Sequence, residues 1–275
     1  GHLRRGWAGM TFQLSAGGFF IFMFAMVRAS AWLAFVPPFS SSTIPLVVRT
    51  GLAASLGLAV TAELSNGPGG AMVKMAAAVG AQDTAGFISD LVLQAVTGAV
   101  LGFITSLLFS VVSAAGSLTD MTSGLSASTT FDPISGTVNP VTANTFNVIM
   151  TTLLFATGGD LLVVKGFLTS FQSIGLTSKS VSLLGSTLMS EVGFFFLAAV
   201  EIAAPVLAAM FLAYVALGLL TRSAPQLNVM SLGFAINIAL ALVVVGISLP
   251  LLPGAVNTLV DRAVTDSLGL LGLRP

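Results

Sequence analysis

Cysteine is absent from the 275 residues. That excludes disulfide frameworks, thiolate metal sites and cysteine nucleophiles. The one histidine, His2, sits at the extreme amino end, so a histidine-based triad or a multi-histidine metal site is excluded as well. Charge is scarce. Ten basic and ten acidic residues make up 7% of the chain, where a soluble domain carries about 25%. They cancel to a net charge of zero. They are scattered singly, apart from the pair Arg4-Arg5, so no basic patch exists to hold nucleic acid. Apolar residues make up 55% of the chain and the mean hydropathy is +1.01. There are too few polar side chains to cover a water-facing surface, and the composition is that of an integral membrane protein.

Long uncharged stretches mark the membrane segments. Gly6 to Val27, Ala29 to Val48, Leu91 to Thr119, Pro133 to Gly159, Ile202 to Thr221 and Ser223 to Val260 carry no charged side chain. A spanning helix needs roughly 20 apolar residues. The reading is six apolar segments, at 10–36, 44–62, 87–115, 144–168, 192–220 and 229–252. Runs such as FFIFMFAMV do not alternate, so the fold class is an all-α membrane protein rather than a β-barrel. No internal repeat or domain boundary is visible, and the chain reads as a single helical domain, 1–275. The first segment is too long for the apolar core of a cleaved signal peptide.

The connections carry information of their own. VPPFSSSTIP, with Pro37 and Pro45, is a sharp break, because proline lacks a donor and disfavours helix at the residue before it. Residues 116–143 are a long polar connector, of a kind that is often functional. In RSAPQLN, Arg222, Pro225, Gln226 and Asn228 read as a short turn between two helices. Arg and Lys counts in the connections place both tails on the cytoplasmic side by a small margin.

Four charges lie within or beside apolar segments: Arg28, Asp160, Glu191 and Glu201. At bilayer depth a charge costs about 2.5–3.5 kcal/mol on insertion scales, so each is expected to face protein, a cavity or the interface. Thr157-Gly158-Gly159-Asp160 comes near the GxGD of intramembrane aspartyl proteases but lacks the first glycine. No second mid-segment aspartate is available to share a proton. Asp160 is expected near a helix break, paired with a base or a backbone N–H. No Walker sequence, GxGxxG, HExxH or GxSxG occurs. The expectation is a protein that is not an enzyme and needs no cofactor.

Three stretches together resemble the FliR family of flagellar type III export-gate subunits. The first is Arg28-x-x-Ala31-Trp32 running into VPPFSSSTIPLVVRTGLA at 36–53. The second is AAGSLTDMTSGLSASTTFDPISGTVNPV at 114–141. The third is APVLAAMFLAYVALGLLTRSAPQLNVMSLGFAI at 204–236, which is the most specific of them. There are departures. Ser117 and Thr122 stand where the family has glutamate and glutamine, and Asp120 adds a charge where the family tends to have a small residue. Leu46 and Val47 replace basic residues, and Asp160 replaces a frequent histidine.

The resemblance implies one copy of a subunit in a closed, protein-conducting gate, with its apolar helices folded as bent hairpins. FliP-like and FliQ-like subunits would complete that gate, and FlhB-like and FlhA-like export proteins would associate with it. It also implies the bacterial inner (cytoplasmic) membrane at the flagellar basal body, and unfolded export substrates. Two alternatives stand beside this: the equivalent SctT/SpaR-like subunit of a virulence injectisome, and a self-contained secondary transporter. Within the gate, the loop at about 116–135 corresponds to a plug. Gly116 and Gly124 loosen it, Leu118, Met121, Leu125 and Phe131 supply water-excluding bulk, and Asp132-Pro133 ends any helical tendency.

Overall fold

The computed structural model describes residues 16–37, 39–41, 44–66, 84–126, 140–173, 181–223, 229–255 and 258–259. They form seven long helices in chain order: α1 Ala16–Phe35, α2 Leu46–Asn66, α3 Thr84–Ser123, α4 Val141–Ala156, α5 Gly159–Ser173, α6 Val181–Ser223 and α7 Val229–Ser248. A 3-10 turn, Leu249–Leu251, follows α7. Among the described residues there is no strand. Five helices are long and apolar enough to cross a membrane, or six spans if the bent pair α4–α5 counts as one. These helices are apolar on every side, as membrane-spanning or fully buried helices are.

α3 is the axis of the fold, with α1, α4 and α6 packed along it, α2 outside α1 and α7 beside α6. Two cores result. Leu108, Phe109, Val112, Phe146, Met150, Leu154 and Ala199 join α3, α4 and α6. Ala29, Trp32, Leu33, Ala53, Leu101, Phe167 and Phe171 join α1, α2, α3 and α5. Trp32 stacks on Phe167 with centroids 4.6 Å apart, and Phe167 meets Phe171 edge to face at 5.3 Å. Such pairs contribute about 0.5–1.5 kcal/mol beyond the area they bury.

Three segments differ from the sequence expectation. The stretch 144–168 is two helices, bent by 75°. The turn is at Thr157-Gly158, where Gly158 has φ +72, a left-handed conformation that glycine alone adopts without steric cost. Asp160 lies in the first turn of α5, immediately after this break, where the helix dipole favours an anion.

The third segment does not end at 115. α3 continues to Ser123, so the first eight residues of the expected plug loop are helical. Thr119 and Thr122 do not compete with the helix. Their hydroxyls donate back to the carbonyls of Ala115 (3.0 Å) and Leu118 (2.9 Å) within it. The fifth segment is also longer than expected, because α6 has 43 residues. At about 1.5 Å per residue, α3 and α6 are each about 60 Å long, twice the hydrocarbon thickness of a bilayer.

Candidate functional site: a capped helix joint and a buried arginine cluster

The end of α3 is fastened to the start of α4. Pro140 precedes α4 and provides no side-chain cap. The cap arrives from α3 instead. The Asp120 carboxylate accepts the backbone N–H of Thr142 (3.2 Å to Oδ1, 3.0 Å to Oδ2) and that of Ala143 (3.4 Å to Oδ2). Asp120 is 1% exposed, so these bonds form away from water, at the helix end where a negative charge is favoured. The approach is close because residue 116 is glycine: a Cβ there would meet the Ala143 backbone N at 2.6 Å. Tyr214 of α6 donates its hydroxyl to the Thr122 carbonyl at 2.5 Å, so one of the last carbonyls of α3 is paired from outside the helix. Gly124 leaves the helix at φ +80, against the Phe234 ring.

The expected plug residues therefore do not share one environment. Gly116 is buried, Leu118, Gly124 and Leu125 are half-buried, and Met121 is 70% exposed. Phe131, Asp132 and Pro133 lie outside the described residues. Of the turn motifs, Pro37 is half-buried just past α1. Pro45 is exposed just before α2, where its carbonyl accepts the N–H of Val48 (3.0 Å) and of Arg49 (3.2 Å). Arg222 is exposed in the last turn of α6, and Pro225, Gln226 and Asn228 lie outside the described residues.

Removing the Asp120 carboxylate isolates the contribution of the cap. Asp120→Ala is expected to lower stability by about 1–2 kcal/mol, the usual cost of losing an N-cap acceptor. For a chain of this size that is roughly a 2–8 °C drop in the melting temperature of the detergent-solubilised protein. Asp120→Asn keeps an acceptor and should recover most of it. Equal melting of Asp120→Ala and the parent would show that the cap contributes nothing.

A second polar cluster lies deep between α1, α3 and α5. Arg28 is fully buried. Its Nε donates to Gln94 Oε1 at 2.8 Å, and its Nη1 donates to the Ser170 carbonyl (3.2 Å) and hydroxyl (3.4 Å). The guanidinium lies over the Phe171 ring, 4.2 Å from its centroid. Planar donors over an aromatic face are a combination that arginine makes and lysine does not. The sequence marked Arg28 as a charge that must face protein, and it does. Gln94 and Ser170 went unnoticed because they lie 66 and 142 residues away and are ordinary polar residues in apolar runs.

Small residues let this cluster close. Gly98 and Gly102, one turn apart on α3, face α1. A Cβ on Gly98 would collide with the Arg28 carbonyl, and one on Gly102 would lie 2.7 Å from the Trp32 carbonyl. Small residues four apart are how membrane helices bring their backbones together. Among the described residues no group of three His, Asp or Glu side chains could hold a metal.

Much of the apolar surface is left uncovered within one chain. Leu46 and Val47 on α2, Phe196, Phe211 and Leu212 on α6, and Leu242, Val243 and Ile247 on α7 are all exposed.

Residues 19–263 match the family described as bacterial export proteins, family 1. The flagellar biosynthetic protein FliR of Bacillus subtilis (strain 168) is 23% identical over 256 residues, covering 92% of this chain and 95% of that protein. That of Pectobacterium carotovorum subsp. carotovorum is 29% identical over 164 residues, 59% of this chain and 63% of that protein. The surface presentation of antigens protein SpaR of Shigella sonnei is 29% identical over 152 residues, 55% of this chain and 59% of that protein.

Proposed function

This chain belongs to the bacterial export proteins of family 1, and on that footing we propose that it is a structural subunit of the flagellar type III export gate. The observation that carries this reading is the extent of the family match, together with the FliR relative aligned along 92% of the chain. The SpaR relative aligns along 55%, which favours the flagellar over the injectisome role. The uncovered apolar helices of α2, α6 and α7 fit the reading. Apolar helices that a single chain leaves exposed are satisfied by lipid or by the helices of other subunits. The partners proposed are FliP-like and FliQ-like subunits with FlhB-like and FlhA-like export proteins. The proposed site is the bacterial inner membrane at the flagellar basal body, and the cargo is unfolded protein.

The native mass of the complex purified through this chain tests the assignment. One copy of the chain together with several unlike helical subunits is expected. A monodisperse, well-folded homomer would sink it.

Within the gate, the plug is proposed to be the segment at about 116–135, rooted by its helical part 116–123, which Asp120, Tyr214 and the Gly116 contact hold in α3. Deleting 127–131 spares all three fastenings. The complex is expected to assemble normally while cells leak small ions, as happens when an apolar constriction is removed. A deletion complex as tight as the parent would move the seal to the partner subunits.

A further inference from the structure

A cavity of about 780 Å3 opens between α4, α6 and the segment after α7. Its walls are mostly apolar, with Phe146 of α4, Leu197 and Ile202 of α6, and Leu251 and Leu259 beyond α7, and the hydroxyl residues Ser248 and Thr258 among them. One acid, Glu201, interrupts them. It lies inside the apolar stretch Val192–Ser223 of α6, and no described residue hydrogen-bonds to it or pairs with it. Pro205 lines the same cavity and sits inside the helix. Proline has no N–H to give the carbonyl four residues earlier, which here is that of Glu201, and its ring displaces that carbonyl. A carboxylate and a main-chain acceptor without its usual helical donor thus stand together on an apolar wall. Glu201 is exposed within the single chain, and an acid inside an apolar span is retained where a partner group neutralises it.

We propose that this cavity receives an apolar helix of another subunit of the assembly, carrying a lysine or arginine whose cation pairs with Glu201. The proposal rests on the export-gate reading. It follows the pattern of a helix laid in a hydrophobic groove, and one multi-donor cation satisfies both acceptors at once. The pair also fixes the register of the incoming helix, because sliding it by one turn would strand both charges in apolar surroundings.

The test is photo-crosslinking in the full chain in its own membrane, with p-benzoylphenylalanine replacing Leu197, which lines the cavity and is 67% exposed. The adduct is expected on an apolar helix of a co-assembled subunit, within a turn of a Lys or Arg. Glu201→Ala should lower its yield by about tenfold or more, the scale of losing one partner of a desolvated charge pair. Glu201→Lys combined with a glutamate at the partner's cation should restore it. An adduct with residues 260–275 of the same chain, an adduct with lipid, or a yield indifferent to Glu201→Ala each overturns the inference. The native mass separates the two levels. Unlike subunits present with any of those outcomes sinks this pairing alone, whereas no unlike subunits at all sinks the gate reading as well.

Discussion

Arg28→Ala is expected to be the most damaging substitution of a polar residue in this chain, lowering stability by about 3–5 kcal/mol. Two costs combine. The truncation empties the centre of a packed joint, which costs about 2–5 kcal/mol for a large buried side chain. It also leaves Gln94 Oε1 and the Ser170 carbonyl, now accepting from Arg28, without that donor in a region away from water, at about 1–3 kcal/mol for each group left unsatisfied. The two overlap, because the site partly collapses. The readout is the melting temperature of the detergent-solubilised chain, together with its steady-state level in membranes. Arg28→Lys keeps the charge and loses the fork and the stacking on Phe171, so it should fall between parent and Ala. If Arg28→Ala melts with the parent, α1, α3 and α5 are held by apolar packing alone.

The second large effect is steric. Gly98→Leu is expected to prevent α1 from docking on α3 and to remove most of the folded protein from the membrane. Even Gly98→Ala should cost about 1–3 kcal/mol, since its Cβ must displace the Arg28 backbone and overpacking a close contact costs that much. The control is Gly218→Ala. Nothing lies within 4 Å of a Cβ at Gly218 in α6, so there alanine's better helix propensity should leave stability unchanged or raised by up to about 1 kcal/mol. Equal melting temperatures for Gly98→Ala and Gly218→Ala would show that the α1–α3 contact is looser than the geometry indicates.

The helices themselves were legible because charge is so scarce. Each of the six apolar segments overlaps a helix or the bent pair, and the break at Pro37 and Pro45 separates α1 from α2 as the proline chemistry requires. The 75° bend left a trace, Gly158-Gly159-Asp160, but a glycine pair inside an apolar run is equally a packing feature, and only the left-handed φ of Gly158 makes it a corner. The helix over 116–123 was illegible for a physical reason. Its Gly, Ser and Thr composition is that of a loop, and what keeps it helical comes from elsewhere: Thr142 and Ala143 across the chain, and Tyr214 from α6. Asp120 read only as a departure from the family pattern because the donors it serves lie 22 and 23 residues away. Arg28 was found by its charge, while its partners were hidden by their ordinariness.

The corner between α4 and α5 also decides an odd-or-even question. If the bent pair passes through the bilayer, the chain makes six crossings, and the residues before α1 and after α7 emerge on the same face. If it enters and returns, the chain makes five, and they emerge on opposite faces. At about 1.5 Å per residue neither limb reaches the roughly 30 Å of hydrocarbon by itself. A chain without cysteine suits the measurement, because a thiol introduced at one position is the only one to react. A membrane-impermeant maleimide applied from one side to a cysteine at position 12, and separately at position 268, then reports equal or opposite labelling. The answer fixes whether the two ends of this subunit meet the same compartment.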